Sequence, residues 1–96
     1  MKLARLLRST HLPPSVAQHP LLAYRLDRAW PERKVAVEAD GFQHHGRHLV
    51  WKRDRRRVAA IEAAGWRIVH VTWDDVTVRR RETLDRIGYA LSILAA

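Results

Sequence analysis

Apolar and polar positions along the chain change period several times, and each change marks a boundary between elements. Leu3, Leu6 and Leu7 fall on one helical face. The helix they predict ends before Pro13-Pro14, because proline lacks an N–H and restrains the residue before it. Val16 to Leu22 reads as a short strand interrupted by Pro20, a residue suited to a sheet edge. From Tyr24 to Trp30, the alternation of Tyr24, Leu26 and Trp30 with Arg25, Asp27 and Ala29 has the period of a half-buried strand. Val35, Val37 and Ala39 alternate with Ala36, Glu38 and Asp40 in the next strand, and Pro31-Glu32-Arg33-Lys34 turns the chain between the two. If Pro31 and Lys34 flank a two-residue turn, the antiparallel register sets Asp27 directly across from Glu38.

From about Arg47 to Ala64, Trp51, Asp54, Val58 and Ile61 share one face of a helix, and Gly65 supplies its left-handed stop. Arg67 to Trp73 is a strand rich in β-branched residues. Strand, helix, strand over this span implies a right-handed crossover and a parallel pairing of Val35–Ala39 with Ile68–Thr72. A last helical region begins at Asp74-Asp75, whose charges suit the positive end of the helix dipole, and Leu84, Ile87, Leu91 and Leu94 form its apolar stripe. The expected class is α/β in the order α-β-β-β-α-β-α, a mixed sheet flanked by helices, with residues 1–96 forming a single domain.

With 96 residues and 47% hydrophobic positions, the chain has material for one compact core. It has no cysteine, which removes disulfides, thiolate metal sites and a cysteine nucleophile, and points to a cytoplasmic setting. No run is long and apolar enough for a membrane helix. The formal charge of +8 is mostly arginine and is spread over both halves of the chain, so polyanions are the natural partners.

Candidate chemistry gathers around the two central strands. Asp27, Glu38 and Asp40 crowd one region, and neighbouring carboxylates repel one another unless a cation or proton lies between them. Mg²⁺ suits such oxygen donors and keeps waters that attack a phosphate. The competing reading is an exposed face where the acids pair with Arg25, Arg28, Arg33 and Lys34. The loop Gly41-Phe42-Gln43-His44-His45-Gly46-Arg47-His48 leaves the carboxyl end of a strand with a parallel neighbour, where open α/β sheets place ligands. Its imidazoles suit proton transfer, and their spacing matches no closed zinc pattern. Asp54, on an inner helix face, needs a partner: a structural arginine, an imidazole or an active-site arginine. Lys52, Arg53, Arg55, Arg56 and Arg57 place five cations on little more than one turn and a half, suited to a phosphate backbone.

Four ordered blocks carry a resemblance. Tyr24-Arg-Leu-Asp27-Arg-Ala-Trp-Pro31, Val35-Ala-Val-Glu38-Ala-Asp40-Gly41-Phe-Gln-His44-His45, Arg53-Asp54-Arg55-Arg56 and Ala64-Gly65-Trp66-Arg67-Ile-Val-His-Val-Thr-Trp73 resemble the very-short-patch-repair (Vsr-like) endonucleases. They are closer still to a large bacterial family of domains related to them, within the PD-(D/E)XK restriction-endonuclease-like superfamily. The resemblance implies a restriction-endonuclease-like core and a Mg²⁺- or Mn²⁺-dependent endonuclease acting on DNA, with nicking and a repair role among the outcomes and RNA left open. By the same resemblance, Asp27 is the metal-binding aspartate and the Ala39 carbonyl a further ligand. Glu38 and Asp40 occupy the Glu-X-Lys position, with Asp40 replacing the lysine. His44 or His45 activates water, and Asp54 supports that histidine. Relatives usually carry a glutamate in the first helix, whereas no acidic residue precedes Asp27 here. The alternative is a catalytically silent nuclease-fold module that binds nucleic acid through its basic helix.

Overall fold

A computed structural model describes residues 2–39 and 48–95, with side chains described over 2–39 and 55–92. The elements are α1 (Lys2–Arg8), β1 (Val16–Leu21), β2 (Tyr24–Trp30), a 3-10 turn (Pro31–Arg33), β3 (Val35–Ala39), α2 (His48–Ala63), β4 (Arg67–Val71), α3 (Trp73–Thr77) and α4 (Arg80–Ala95). The four strands form one sheet in sequence order. Pairing is antiparallel from β1 to β3 and parallel between β3 and β4. This is the expected α/β class with a mixed sheet.

Helices cover both faces of the sheet. On one, Trp30, Val35, Val37, Val69 and Val71 pack against Leu3, Leu6 and Leu7 of α1, Val76 of α3, and Ile87, Ala90 and Leu91 of α4. On the other, Leu26, Ala29 and Ala36 pack against Ile61 of α2 and against Trp66. Burying a side chain such as Ile61 contributes about 1.5–3 kcal/mol. The β3 pattern is apolar on both faces because both are covered.

Leu26 and Trp30 share a strand face by simple alternation, yet they enter opposite layers. The alternation slips by one at Asp27 and Arg28. There the β1–β2 pairing passes from Ala17↔Arg28 to His19↔Leu26, and Gln18 takes a left-handed φ of 53°. Each strand leaves one residue out of the pairing and the register continues unchanged, so the distortion at Gln18 re-aims neighbouring side chains without the extra residue of a bulge. Asp27 therefore sits where the strand changes face.

The β2–β3 connection is a 3-10 turn closed by Lys34 in the left-handed region, with the Lys34 N–H donating to the Pro31 carbonyl, rather than the two-residue turn read from sequence. The register is nonetheless the expected one, with Trp30↔Val35, Ala29↔Ala36 and Arg28↔Val37 paired. Helix α2 ends as Gly65 foretells. Gly65 has φ +92°, its N–H donates to Glu62, and the Trp66 N–H reaches back to Ile61, so two terminal carbonyls are satisfied. Ile61 and Trp66, joined by that bond, also pack together in the core under the sheet.

Two boundaries differ from the sequence reading. Strand β4 stops at Val71 rather than Trp73, and the last helical region is two helices, which adds α3 to the expected order. The end of β4 and the start of α3 follow from Thr72. Its hydroxyl accepts the Asp75 N–H at 3.1 Å, while the Asp75 carboxylate accepts the Thr72 N–H at 2.9 Å, a reciprocal cap that starts a helix at Trp73. The Asp75 carboxylate also takes Arg79 at 3.1 Å and Arg86 at 3.5 Å. Arg86 donates to the His70 carbonyl of β4 at 2.6 Å. The Thr72 hydrogen bond, assisted by Arg79 and Arg86, holds the Asp75 carboxyl below its ordinary value of 3.8. Asp75→Ala is expected to cost about 1–2 kcal/mol through the lost cap and ion pairs. Because the folded value is depressed, this contribution is complete above pH 3.8 and disappears as pH falls through the folded value. Thermal melts of wild type and variant should therefore converge in acid and separate near neutrality.

Candidate active site

The β2–β3 ladder ends at the pair Arg28↔Val37, and the next step is bridged by side chains instead of backbone. The Asp27 N–H donates to Glu38 Oε2 at 2.7 Å, and the Ala39 N–H donates to Asp27 Oδ2 at 2.9 Å. Each carboxylate satisfies an N–H of the opposing strand. The strands are thereby held together at the carboxyl end of β3 with their carboxylates side by side, as the register predicts.

Glu38 is 5% exposed and Asp27 is half-buried. A carboxylate removed from water needs compensation. Glu38 finds it in Arg57 of α2, whose Nη1 forms an ion pair with Oε1. The Arg57 Nη2 donates to the Arg25 carbonyl at 2.6 Å, and the guanidinium lies 5.7 Å from the centre of the Tyr24 ring. Burial is the largest influence on Glu38 and pushes its pKa above 4.5, with repulsion from Asp27 adding to it. The Asp27 N–H and Arg57 act in the opposite direction.

The arginines next to the strand acids in sequence have other partners. Arg28 binds the Ser15 hydroxyl at 3.0 Å and Arg33 the Leu91 carbonyl at 3.3 Å. Among the described residues no lysine or arginine pairs with Asp27. Glu38 is ion-paired, but with Arg57 rather than with Arg25, Arg28, Arg33 or Lys34, and Asp40 lies outside the described residues.

Asp27, Glu38 and the Ala39 peptide are brought together. Asp40, His44 and His45 lie outside the described residues, as do the side chains of Trp51, Lys52, Arg53 and Asp54. Arg55 and Arg56 are exposed on α2, as a phosphate-tracking face requires. Arg57 differs from that expectation. Its side chain is 21% exposed and turned onto Glu38, because it stands one helical turn before the buried Ile61 and so lies on the inner side of α2. The helical period carries that signal: residues 54, 57 and 61 share a face, and a cation on it pairs with whatever acid the sheet presents.

A divalent ion of the Mg²⁺ type requires hard oxygen donors. Asp27 uses one carboxylate oxygen on Ala39, which leaves the other, and the Ala39 peptide is adjacent. These groups fit such an ion in kind. Glu38 is engaged through both oxygens, and among the described residues no cluster of three or more acidic or histidine side chains forms.

The sequence model of a family described as REase_MTES_1575 matches residues 2–91. The chain belongs to that restriction-endonuclease-like family. It is 35% identical over 85 residues to the uncharacterized proteins MT2308 and Rv2248 of two Mycobacterium tuberculosis strains. The alignment covers 82% of this chain and 30% of each relative. The uncharacterized protein YcjD of Escherichia coli K12 is 33% identical over 70 residues, covering 73% of this chain and 57% of its own length. The chain thus spans under a third of the mycobacterial relatives and little more than half of the enterobacterial one. No solved structure matches significantly. Among the described residues, no helix is long and apolar enough to cross a membrane.

The Glu38–Arg57 pair makes a direct prediction. In carboxyl-selective NMR titrations Glu38 should titrate above 4.5, and in Arg57→Gln it should move higher still, since a contact that favours the charged form is lost. The folded value being raised, Glu38 supports folding most below pH 4.5 and progressively less as pH climbs through that value. A Glu38 titration unmoved by Arg57→Gln would show that the pair does not form in solution.

Proposed function

We propose that this restriction-endonuclease-like domain is a metal-dependent endonuclease that hydrolyses phosphodiester bonds of DNA, in the manner its resemblance to Vsr-like enzymes implies. The observation that carries this reading is the pair of carboxylates interlocked at the carboxyl end of β3, with Asp27 left without a cationic partner among the described residues. Family membership and the +8 charge, with Arg55 and Arg56 exposed on α2, support a polyanionic substrate.

In this reading Asp27, the Ala39 carbonyl and Asp40 would hold a Mg²⁺ or Mn²⁺ ion, with Glu38 beside them as a further candidate ligand. The ion, when bound, neutralises charge that grows on the phosphate. Glu38 fixes the Asp27 backbone through its Oε2 and so sets where the Asp27 carboxylate points. His44 or His45 takes the proton from the attacking water, and Asp54 orients that imidazole. Lys52, Arg53, Arg55 and Arg56 track the DNA backbone beside the site. Asp27→Ala would remove a ligand together with the acceptor of the Ala39 N–H, so its loss of function is read beside a melting curve that shows the variant folded.

A second reading is favoured by one feature. Arg57 neutralises Glu38 without any metal, as expected of a silent module that keeps the fold and binds nucleic acid. One experiment separates the two. Supercoiled plasmid incubated with the protein and Mg²⁺ is expected to be nicked or linearised. Chelation should abolish this, and Asp27→Ala should reduce it by at least about 100-fold, the scale of losing one key electrostatic group. Salt-sensitive DNA binding with no cleavage under any divalent ion would establish the silent module instead.

A further inference from the structure

We propose that Arg57 is a displaceable cation: in the DNA-free protein its guanidinium occupies Glu38 in competition with a divalent ion. A DNA phosphate that draws it away opens Glu38 to the metal, so that metal and DNA bind cooperatively through this residue. The inference rests on the nuclease reading above and concerns the same site.

Both Glu38 oxygens are engaged, Oε2 by the Asp27 N–H and Oε1 by Arg57. The first bond belongs to the strand pairing and stays. Each carboxylate oxygen keeps acceptor capacity beyond one hydrogen bond, but Oε1 is the one not tied into the strand pairing. A divalent ion recruited there meets the guanidinium already in place, and two positive charges crowd one oxygen only at a cost. Metal and Arg57 are alternatives at that atom.

The contacts of Arg57 also indicate what removes it. Its remaining partners are neutral, the Arg25 carbonyl and the face of the Tyr24 ring, so Glu38 is its one anionic partner among the described residues. The side chain is long, 21% exposed, and leaves the same helix that carries the exposed Arg55 and Arg56. A backbone phosphate following that helix stays fully ionised, is more exposed than the buried Glu38, and matches the planar fork of a guanidinium. Transfer of Arg57 to phosphate would free Oε1 next to Asp27. Coupling of this kind is reciprocal: whatever factor DNA adds to metal affinity, metal adds to DNA affinity.

The test uses the full chain and Ca²⁺, an oxygen-seeking divalent ion that permits binding to be read apart from cleavage. Calorimetric titrations follow Ca²⁺ binding without DNA and with a saturating short duplex, for wild type, Arg57→Gln and Tyr24→Leu, with melting curves confirming the folded state. For wild type, DNA should tighten Ca²⁺ binding by about tenfold or more, within the range of ordinary allosteric coupling. Arg57→Gln should bind Ca²⁺ about tenfold more tightly than wild type without DNA and lose most of the further gain from DNA. Tyr24→Leu keeps the charge but removes the ring beneath it, and should show a smaller rise. A folded Arg57→Gln whose DNA-free Ca²⁺ affinity is unchanged or weaker overturns the proposal, as does an unchanged Tyr24→Leu if Arg57→Gln does not fold. In either case Ca²⁺ binding by wild type that Asp27→Ala abolishes would leave the nuclease reading standing. Wild-type protein that binds neither ion nor DNA would overturn both.

Discussion

Where an antiparallel ladder stops, its last N–H groups must find other acceptors, and in this protein the acceptors are the two carboxylates themselves. Asp27 takes the N–H of Ala39, and Glu38 takes the N–H of Asp27. A charge-assisted bond of this type is stronger than a neutral one, so the end of the sheet is held by its acids rather than weakened by them. Much else is placed around this crossing. It lies where β2 changes face, beside the slip opposite Gln18, and it requires α2 to present a cation on its inner side. Parallel pairing sets Glu38 beside His70 and Ala39 beside Val71, so the chain leaving β4 enters α3 at the same end of the sheet.

The same arrangement explains why the two acids differ in character. Glu38 is nearly inaccessible, shares its charge with Arg57, and is pushed toward its neutral form by burial. Asp27, half-buried and without a paired cation among the described residues, remains the more available oxygen donor. Glu38 is engaged through both oxygens, whereas Asp27 engages one, on the Ala39 N–H. That division depends on Arg57, since without it the Glu38 carboxylate must find another cation or take up a proton.

Much of this was legible in the sequence because its periods are clean. The alternation over Val35–Ala39, the proline-led turn and Gly65 after the helical stripe led to the observed strands, register and crossover. Three features escaped. The cap at Thr72 competes with a β-branched run and wins through two reciprocal hydrogen bonds that no period reveals. The slip at Asp27 depends on a left-handed Gln18, a conformation that residue type does not announce. Arg57 read as part of a solvated basic run because the run was taken as a block of charge. Its helical phase relative to Ile61 places it inward, against Glu38. Asp40, His44, His45 and the side chain of Asp54 lie outside the described residues, so only the candidates on the sheet and on the later part of α2 have a described position.

Asp27, locked to the Ala39 N–H, is the group we propose to hold the ion at the end of β3. Crystals of the protein soaked with Mn²⁺ and measured for anomalous scattering test it directly, since manganese prefers the same hard oxygens as magnesium. One strong peak is expected within coordination distance of the second Asp27 oxygen and the Ala39 carbonyl, absent from crystals of Asp27→Ala. A manganese peak elsewhere with Asp27 uncoordinated, or no ordered ion at a concentration that supports cleavage, would contradict it.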